Sequence, residues 1–225
     1  MPKFRIPHKW ALPHEEFLSL LARLKSDRRV KPITSVSGHL VRGNFPSRKA
    51  PLGARFQSLV EEDFLRVLEV APSVRVLMTH SVVLNLPCGE ERVPYYTPDV
   101  QVHTKATAAL VEVKAEFFLT QPESRARIAA TVHRLRINGL SLALVLDADI
   151  RQAGLQEELK ELLRLRPVVP RYRPRLDAGL WDPLRRNAAS DEIAGRWAAA
   201  QAECEALLAR VMRRDPDELI DAYSR

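Results

Sequence analysis

Glu61, Asp99, Glu112 and Lys114 have the types and the spacing to work together on a phosphate ester. Asp99 follows Pro98, and Glu112 and Lys114 lie in the run Val111-Glu112-Val113-Lys114. On a strand, residues two apart share a face, so Glu112 and Lys114 point the same way while Val111 and Val113 face a core. Glutamate and lysine are disfavoured in strands, and such a break in local consistency is where function is expected. Hydrolysing a phosphodiester needs a hard cation with oxygen ligands and a deprotonated water in line with the leaving oxygen. Asp99 and Glu112 can offer two carboxylates to Mg²⁺ or Mn²⁺, and the Val113 carbonyl can offer a further oxygen. Glu61 can complete the shell or hold a second ion. Lys114 can orient the attacking water and stabilise developing negative charge. The competing reading is a surface ion pair, Glu112 with Lys114 or Asp99 with an arginine.

Helical and strand-like elements must bring these groups together. Helical spacing of Phe17, Leu20, Leu21 and Leu24 predicts a helix over 14–29, and Phe56 to Val70 repeats that period around Glu61. Between them, 32–53 is punctuated by proline, glycine and serine and reads as an extended arm or loop. The runs 74–78, 81–86, 100–103 and 108–113 read as strands. Proline opens a helix over 122–138 and Gly139 stands at its C-cap. A buried-type strand over 141–147 follows, and Asp149 is expected to cap a helix running to 166. A basic, proline-rich link over 164–186 leads to a last amphipathic helix at about 190–212. This order implies a mixed α/β sheet with helices on both faces, its last strand parallel to a central one.

Composition narrows the class. The net charge is +7, and the segment 1–55 holds twelve basic residues against three acidic ones, a local excess of +9. Such asymmetry suits a polyanion partner or a solvated surface. Arg42, Arg48, Lys49 and Arg55 are the candidate DNA contacts. Cys88 and Cys204 match no metal spacing, and no apolar run is long enough to span a bilayer, so a reducing, cytoplasmic location without membrane contact is expected. Gly38 to Gly43 has phosphate-loop spacing, but Asn44-Phe45 follows instead of Lys-Ser/Thr. The six histidines show no paired spacing for zinc. Trp181 and Trp197 read as packing anchors. The stripe Ile193, Trp197, Ala200, Cys204, Leu207, Leu208 and Val211 suits either a partner's groove or packing on the chain's own core.

Five segments in sequence order resemble the TnsA-like endonucleases of heteromeric, Tn-seven-like transposases. Val41-Arg42-Gly43-Asn44-Phe45-Pro46-Ser47-Arg48-Lys49 is similar to the family's opening glycine, aromatic, serine, lysine segment. Ser58-Leu59-Val60-Glu61 resembles its serine-x-x-glutamate helix, which puts the catalytic role on Glu61 rather than Glu62. Tyr96-Thr97-Pro98-Asp99 and Val111-Glu112-Val113-Lys114 resemble its aspartate motif and its glutamate-x-lysine strand. Leu146-Asp147-Ala148-Asp149-Ile150-Arg151 resembles the motif closing its last core strand.

The resemblance implies a restriction-endonuclease-like PD-(D/E)xK fold at 41–151. A basic helical arm at 1–40 would precede it, and a helical tail at 152–225 would follow as a possible partner-docking region. It implies a Mg²⁺- or Mn²⁺-dependent DNA endonuclease of the bacterial cytoplasm that hydrolyses the non-transferred strand at double-stranded transposon ends. The implied partners are a DDE transposase subunit (TnsB-like) and an AAA+ ATPase regulator (TnsC-like). His80-Ser81 stands where relatives often carry glutamine-proline, which leaves the role of His80 open. The same site residues also fit a stand-alone restriction or repair nuclease, or a nuclease fold that grips DNA without cutting.

Overall fold

The structure, a computed structural model, describes residues 11–30, 41–88, 95–152, 154–165 and 191–224. Most of the proline-rich link, Trp181 and the basic residues Lys3, Arg5, Lys9 and Lys31 lie outside them. In chain order the elements are β1 (Leu12–Pro13), α1 (His14–Leu24), β2 (Gly43–Phe45), β3 (Ala54–Phe56), α2 (Leu59–Val70), β4 (Val76–Thr79), β5 (Leu84–Asn85) and β6 (Tyr95–Tyr96). They continue with β7 (Val100–His103), β8 (Thr107–Lys114), α3 (Phe117–Thr120), α4 (Pro122–Ile137), β9 (Leu142–Leu146), α5 (Asp147–Ile150), α6 (Leu155–Arg164), α7 (Asp191–Val211) and α8 (Pro216–Ala222).

β8 is the hub of a five-stranded mixed sheet. On one edge it pairs antiparallel with β7, which in turn pairs with β4. Its other edge is shared by β1, antiparallel at Thr107 and Ala108, and β9, parallel from Leu110 to Lys114. The parallel pairing matches the expectation from crossover geometry, with α4 supplying the connection.

The sheet is buried on both faces. Ala109, Val111 and Val113 of β8, with Ala143 and Val145 of β9, join one core against α2, α6 and α7. Ala108 and Leu110, with Leu142, Leu144 and Leu146, join a second core against α1, α4 and α8. A strand buried on both sides reads as a continuous apolar run, as Leu142–Leu146 does. The result is a mixed α/β sheet flanked by helices.

Several expectations are corrected. The segment 32–53 does not run on as a loop through its described part: β2 and β3 form an antiparallel hairpin, Gly43 opposite Phe56. A side chain at Gly43 would meet the Phe56 ring, since a Cβ there would lie 2.5 Å from it. The run 81–86 does not join the main sheet. His80 takes a left-handed φ of 43° and turns the chain away, so only Leu84–Asn85 pairs, in a separate ribbon with β6. Asp149 caps no long helix; it lies inside the short α5, accepts from the Leu146 amide and pairs with Arg214, while Gly154 opens α6. The N-terminal helix is no appended arm, because β1 joins the sheet and Phe17, Leu21 and Leu24 of α1 enter the second core. The apolar stripe of α7 is likewise spent within the molecule. Of the two readings of this stripe, packing on the chain's own core holds: Trp197, Ala200, Cys204, Leu207, Leu208 and Val211 are buried in the first core and Ile193 is partly buried against it. None of the described helices is long and apolar enough to cross a membrane.

Lys49 is also corrected as a DNA contact. It is buried, and its ammonium donates to the carbonyls of Leu68 and Ala71 at the C-terminal end of α2. A cation there answers the partial negative charge of the helix terminus and satisfies carbonyls without intrahelical partners. Burial drives its pKa down to about 8, against the opposing pull of Glu69. Lys49→Ala should therefore lower unfolding stability by about 1–3 kcal/mol, the scale of stranding buried hydrogen-bonding groups. Urea unfolding tests this, and the salt dependence of DNA binding should not change; a changed salt slope at unchanged stability would restore Lys49 to the DNA-contacting surface.

Candidate active site

The β7–β8 ladder ends at the Val100–Val111 pair. Pro98 has no N–H with which to extend it, and Asp99 fills the opening with a side chain. Its Oδ2 accepts from the Val113 amide at 2.9 Å and from Lys114 Nζ at 3.2 Å. The proline-aspartate pair thus both stops the ladder and sets a carboxylate at its open end.

Glu112 and Lys114 do share a face, as the alternation requires. Lys114 Nζ lies 2.6 Å from Glu112 Oε1, and the Tyr96 hydroxyl donates to Glu112 Oε2 at 2.5 Å. Lys114 Nζ also donates to the Val113 carbonyl at 3.3 Å. The ion pair foreseen as the competing reading is therefore present, but in a concave site with an extra carboxylate rather than on an open surface.

Glu61 arrives from the opposite side, on the first turn of α2. Ser58 is the N-cap: its hydroxyl accepts from the Glu61 amide at 3.2 Å and donates to Glu61 Oε1 at 3.1 Å. Glu61 Oε2 accepts from the Gln57 amide at 2.9 Å. The serine-x-x-glutamate segment is thus a capping arrangement that fixes the carboxylate as well as the helix. Glu62 faces elsewhere and pairs with Arg66 at 2.8 Å.

His80 is the residue sequence reasoning left open. It is buried, and its Nε2 lies 3.1 Å from Glu61 Oε2. Its left-handed φ of 43° is uncommon for a residue with a side chain, and its backbone N–H donates a hydrogen bond to the Asp99 carbonyl at 3.0 Å. One donor atom each from Glu61, His80 and Asp99 lie within 4.8 Å of one another. An octahedral divalent ion with bonds of about 2.1 Å separates its ligands by roughly 3–4 Å, so a small adjustment would bring all three onto one ion. Two carboxylates suit Mg²⁺, and the imidazole favours Mn²⁺ or another transition ion.

All four sequence-derived residues, and Val113, line one cavity of about 480 Å³. The tight donor group differs from the expected set, because His80 enters it and Glu112 is held by Tyr96 and Lys114. Arg42, Arg48 and Arg55 lie on or beside the β2–β3 hairpin and do not line this cavity; Arg127 of α4 does, and is exposed. The sequence offered no signal for Arg127, which sits in a helix with several other arginines.

Three carboxylates, against the Lys114 ammonium and the exposed Arg127 guanidinium, leave this pocket with excess negative charge. Burial, then the charge of Glu112, pushes the Asp99 carboxyl up to about 7, against the opposing pull of Lys114. Burial and Glu112 likewise raise the Tyr96 hydroxyl well above its usual value, so it remains a donor. Burial alone would lower the Lys114 pKa, but Glu112 and Asp99 outweigh it and the net direction is upward. Lys114 is therefore a fixed cation and no general base.

The sequence matches no protein-family model and no curated protein.

The Asp99 shift makes stability depend on pH. Its folded pKa is raised, so its contribution is complete below the unfolded value and lost as pH rises through about 7. Without divalent metal, the stability of the wild type relative to Asp99→Asn should fall between about pH 4 and about pH 7. Paired urea titrations in EDTA measure this, and a pH-independent difference would mean that the crowding of carboxylates is not felt.

Proposed function

We propose that this chain is a metal-dependent DNA endonuclease of the PD-(D/E)xK type, acting as the nuclease subunit of a Tn-seven-like transposase. One observation carries the nuclease reading: Glu61, Asp99, Glu112 and Lys114, from three separate stretches of chain, line one cavity at the open end of the central ladder. The mixed sheet with Glu61 on a flanking helix and the rest at adjacent strand ends is compatible with that fold. The transposase context rests on the five ordered sequence segments alone.

Glu61, His80 and Asp99 would hold Mg²⁺ or Mn²⁺, with the Val113 carbonyl and Glu112 at hand. When bound, such an ion neutralises charge on a phosphate and acidifies a coordinated water. The chain's own groups have separable tasks. Lys114, held cationic, orients a water by donating to it and stabilises charge on the phosphate oxygens as bonds exchange. Tyr96 fixes Glu112, which in turn aims Lys114. His80 and Ser58 hold the Glu61 carboxylate toward the cavity. Arg127, on the cavity's outer wall, suits a phosphate of the incoming strand.

Two substitutions test the assignment on supercoiled and transposon-end DNA with Mg²⁺ or Mn²⁺, with and without the transposase and ATPase subunits. Lys114→Ala should slow cleavage by roughly 10²-fold or more while metal binding persists. Normal cutting by that variant would reduce Lys114 to a structural ion pair. Glu61→Gln keeps the capping acceptor and should keep the melting temperature, yet abolish cutting, whereas Glu62→Gln should cut normally. Loss of activity only with Glu62→Gln would move the catalytic register by one residue.

A further inference from the structure

β8 leads directly from Lys114 into Ala115, Glu116 and the exposed pair Phe117 and Phe118 of α3. Their relative exposures are 64% and 45%, whereas the other described phenylalanines, Phe17, Phe45, Phe56 and Phe64, are all buried. The rings stand edge to face, with centroids 6.0 Å apart. They are not loosely held. Leu119 beside them is fully buried, and the Phe118 amide donates to the Ala115 carbonyl. The Glu116 amide donates to Asp147 at 2.7 Å, and Arg125 donates to the Leu119 carbonyl at 2.8 Å. The turn is therefore built to present two rings to solvent.

Phe118 lines the same cavity as Glu112 and Lys114, and exposed Arg127 lines it too. From Phe118 the apolar surface continues into the cavity through Val60, Ile128 and Leu142, while Thr120, Gln121 and Glu123, which follow in sequence, are exposed and polar. A ring face and a guanidinium on the wall of the cavity that holds Glu61, Asp99, Glu112 and Lys114 suit a base and its phosphate. We infer that Phe117 and Phe118 stack on, or wedge beside, a base flanking the phosphate that enters the cavity, so that the substrate is DNA locally opened at the cutting point. This rests on the nuclease reading and extends it to the state of the substrate. Aromatic wedges that unstack a base step make a strand's phosphate accessible to a recessed site.

The test uses the full chain in EDTA, with oligonucleotide duplexes carrying 2-aminopurine at positions flanking the cutting point. Binding is read by anisotropy and local unstacking by 2-aminopurine fluorescence. Phe117→Ala/Phe118→Ala should weaken binding roughly tenfold, the scale of losing base–aromatic stacking, and abolish the fluorescence change. Its salt slope should match the wild type, because phosphate contacts are untouched. Phe118→Trp should keep both signals, and Phe118→Leu, apolar but without a ring face, should lose the fluorescence change; these variants also guard against misfolding of the double mutant. Wild-type affinity and fluorescence in the double mutant would overturn the inference and leave the pair to a protein partner. If the wild type cuts DNA in parallel assays with Mg²⁺ or Mn²⁺ but the double mutant matches its affinity and fluorescence, only this inference fails. If the ring-dependent signals appear but parallel assays with Mg²⁺ or Mn²⁺ and the transposase and ATPase subunits show no cutting, stacking stands and the nuclease reading fails. Absence of DNA binding by the wild type overturns both.

Discussion

The constraint on which the site depends is uncompensated negative charge at the open end of the β7–β8 ladder. Glu61, Asp99 and Glu112 share a cavity with the Lys114 ammonium and, at its exposed side, Arg127. Carboxylates withdrawn from water and crowded together must recruit a proton or a cation. The rise of Asp99 to about 7 is the protonic form of that demand. A divalent cation, as proposed above, would answer it by satisfying several oxygens at once.

Such a concentration of charge needs a rigid frame, and β8 supplies it. The strand is paired with β7 on one edge and with β1 and β9 on the other, and it is buried on both faces until Glu112. Only at its last residues does the apolar alternation give way to Glu112 and Lys114. The polar groups therefore sit where the ladder ends and not within it. Helices after 151 contribute to this frame as much as the elements before it, because α6 and α7 complete the first core.

Several residues have a structural and a chemical duty at once. Ser58 caps α2 and orients Glu61. Pro98 ends a strand pairing and leaves Asp99 to take the freed Val113 amide. His80 turns the chain out of the sheet and supports Glu61. Local structure and site geometry are therefore one problem, and a change that spoils the turn or the cap also displaces a charge.

The sequence by itself singled out four polar residues that share one cavity, because period-2 alternation and turn chemistry act locally. Val111-Glu112-Val113-Lys114 announces its two faces, and Ser58 to Glu61 announces a helix start. It also indicated the helix over 122–138 and the buried strand after it, through proline, Gly139 and a continuous apolar run. Tertiary structure alone decided which of these met. His80 could not be placed, because its value lies in a left-handed turn that brings it to Glu61, nineteen residues distant. Lys49 looked like a surface cation until the end of α2 covered it. The α7 stripe fitted a foreign groove and its own core equally well, since periodicity encodes that a face is apolar and not what covers it. Charge and apolarity are written residue by residue; the partner that satisfies them is chosen only when distant segments compete for the same contact.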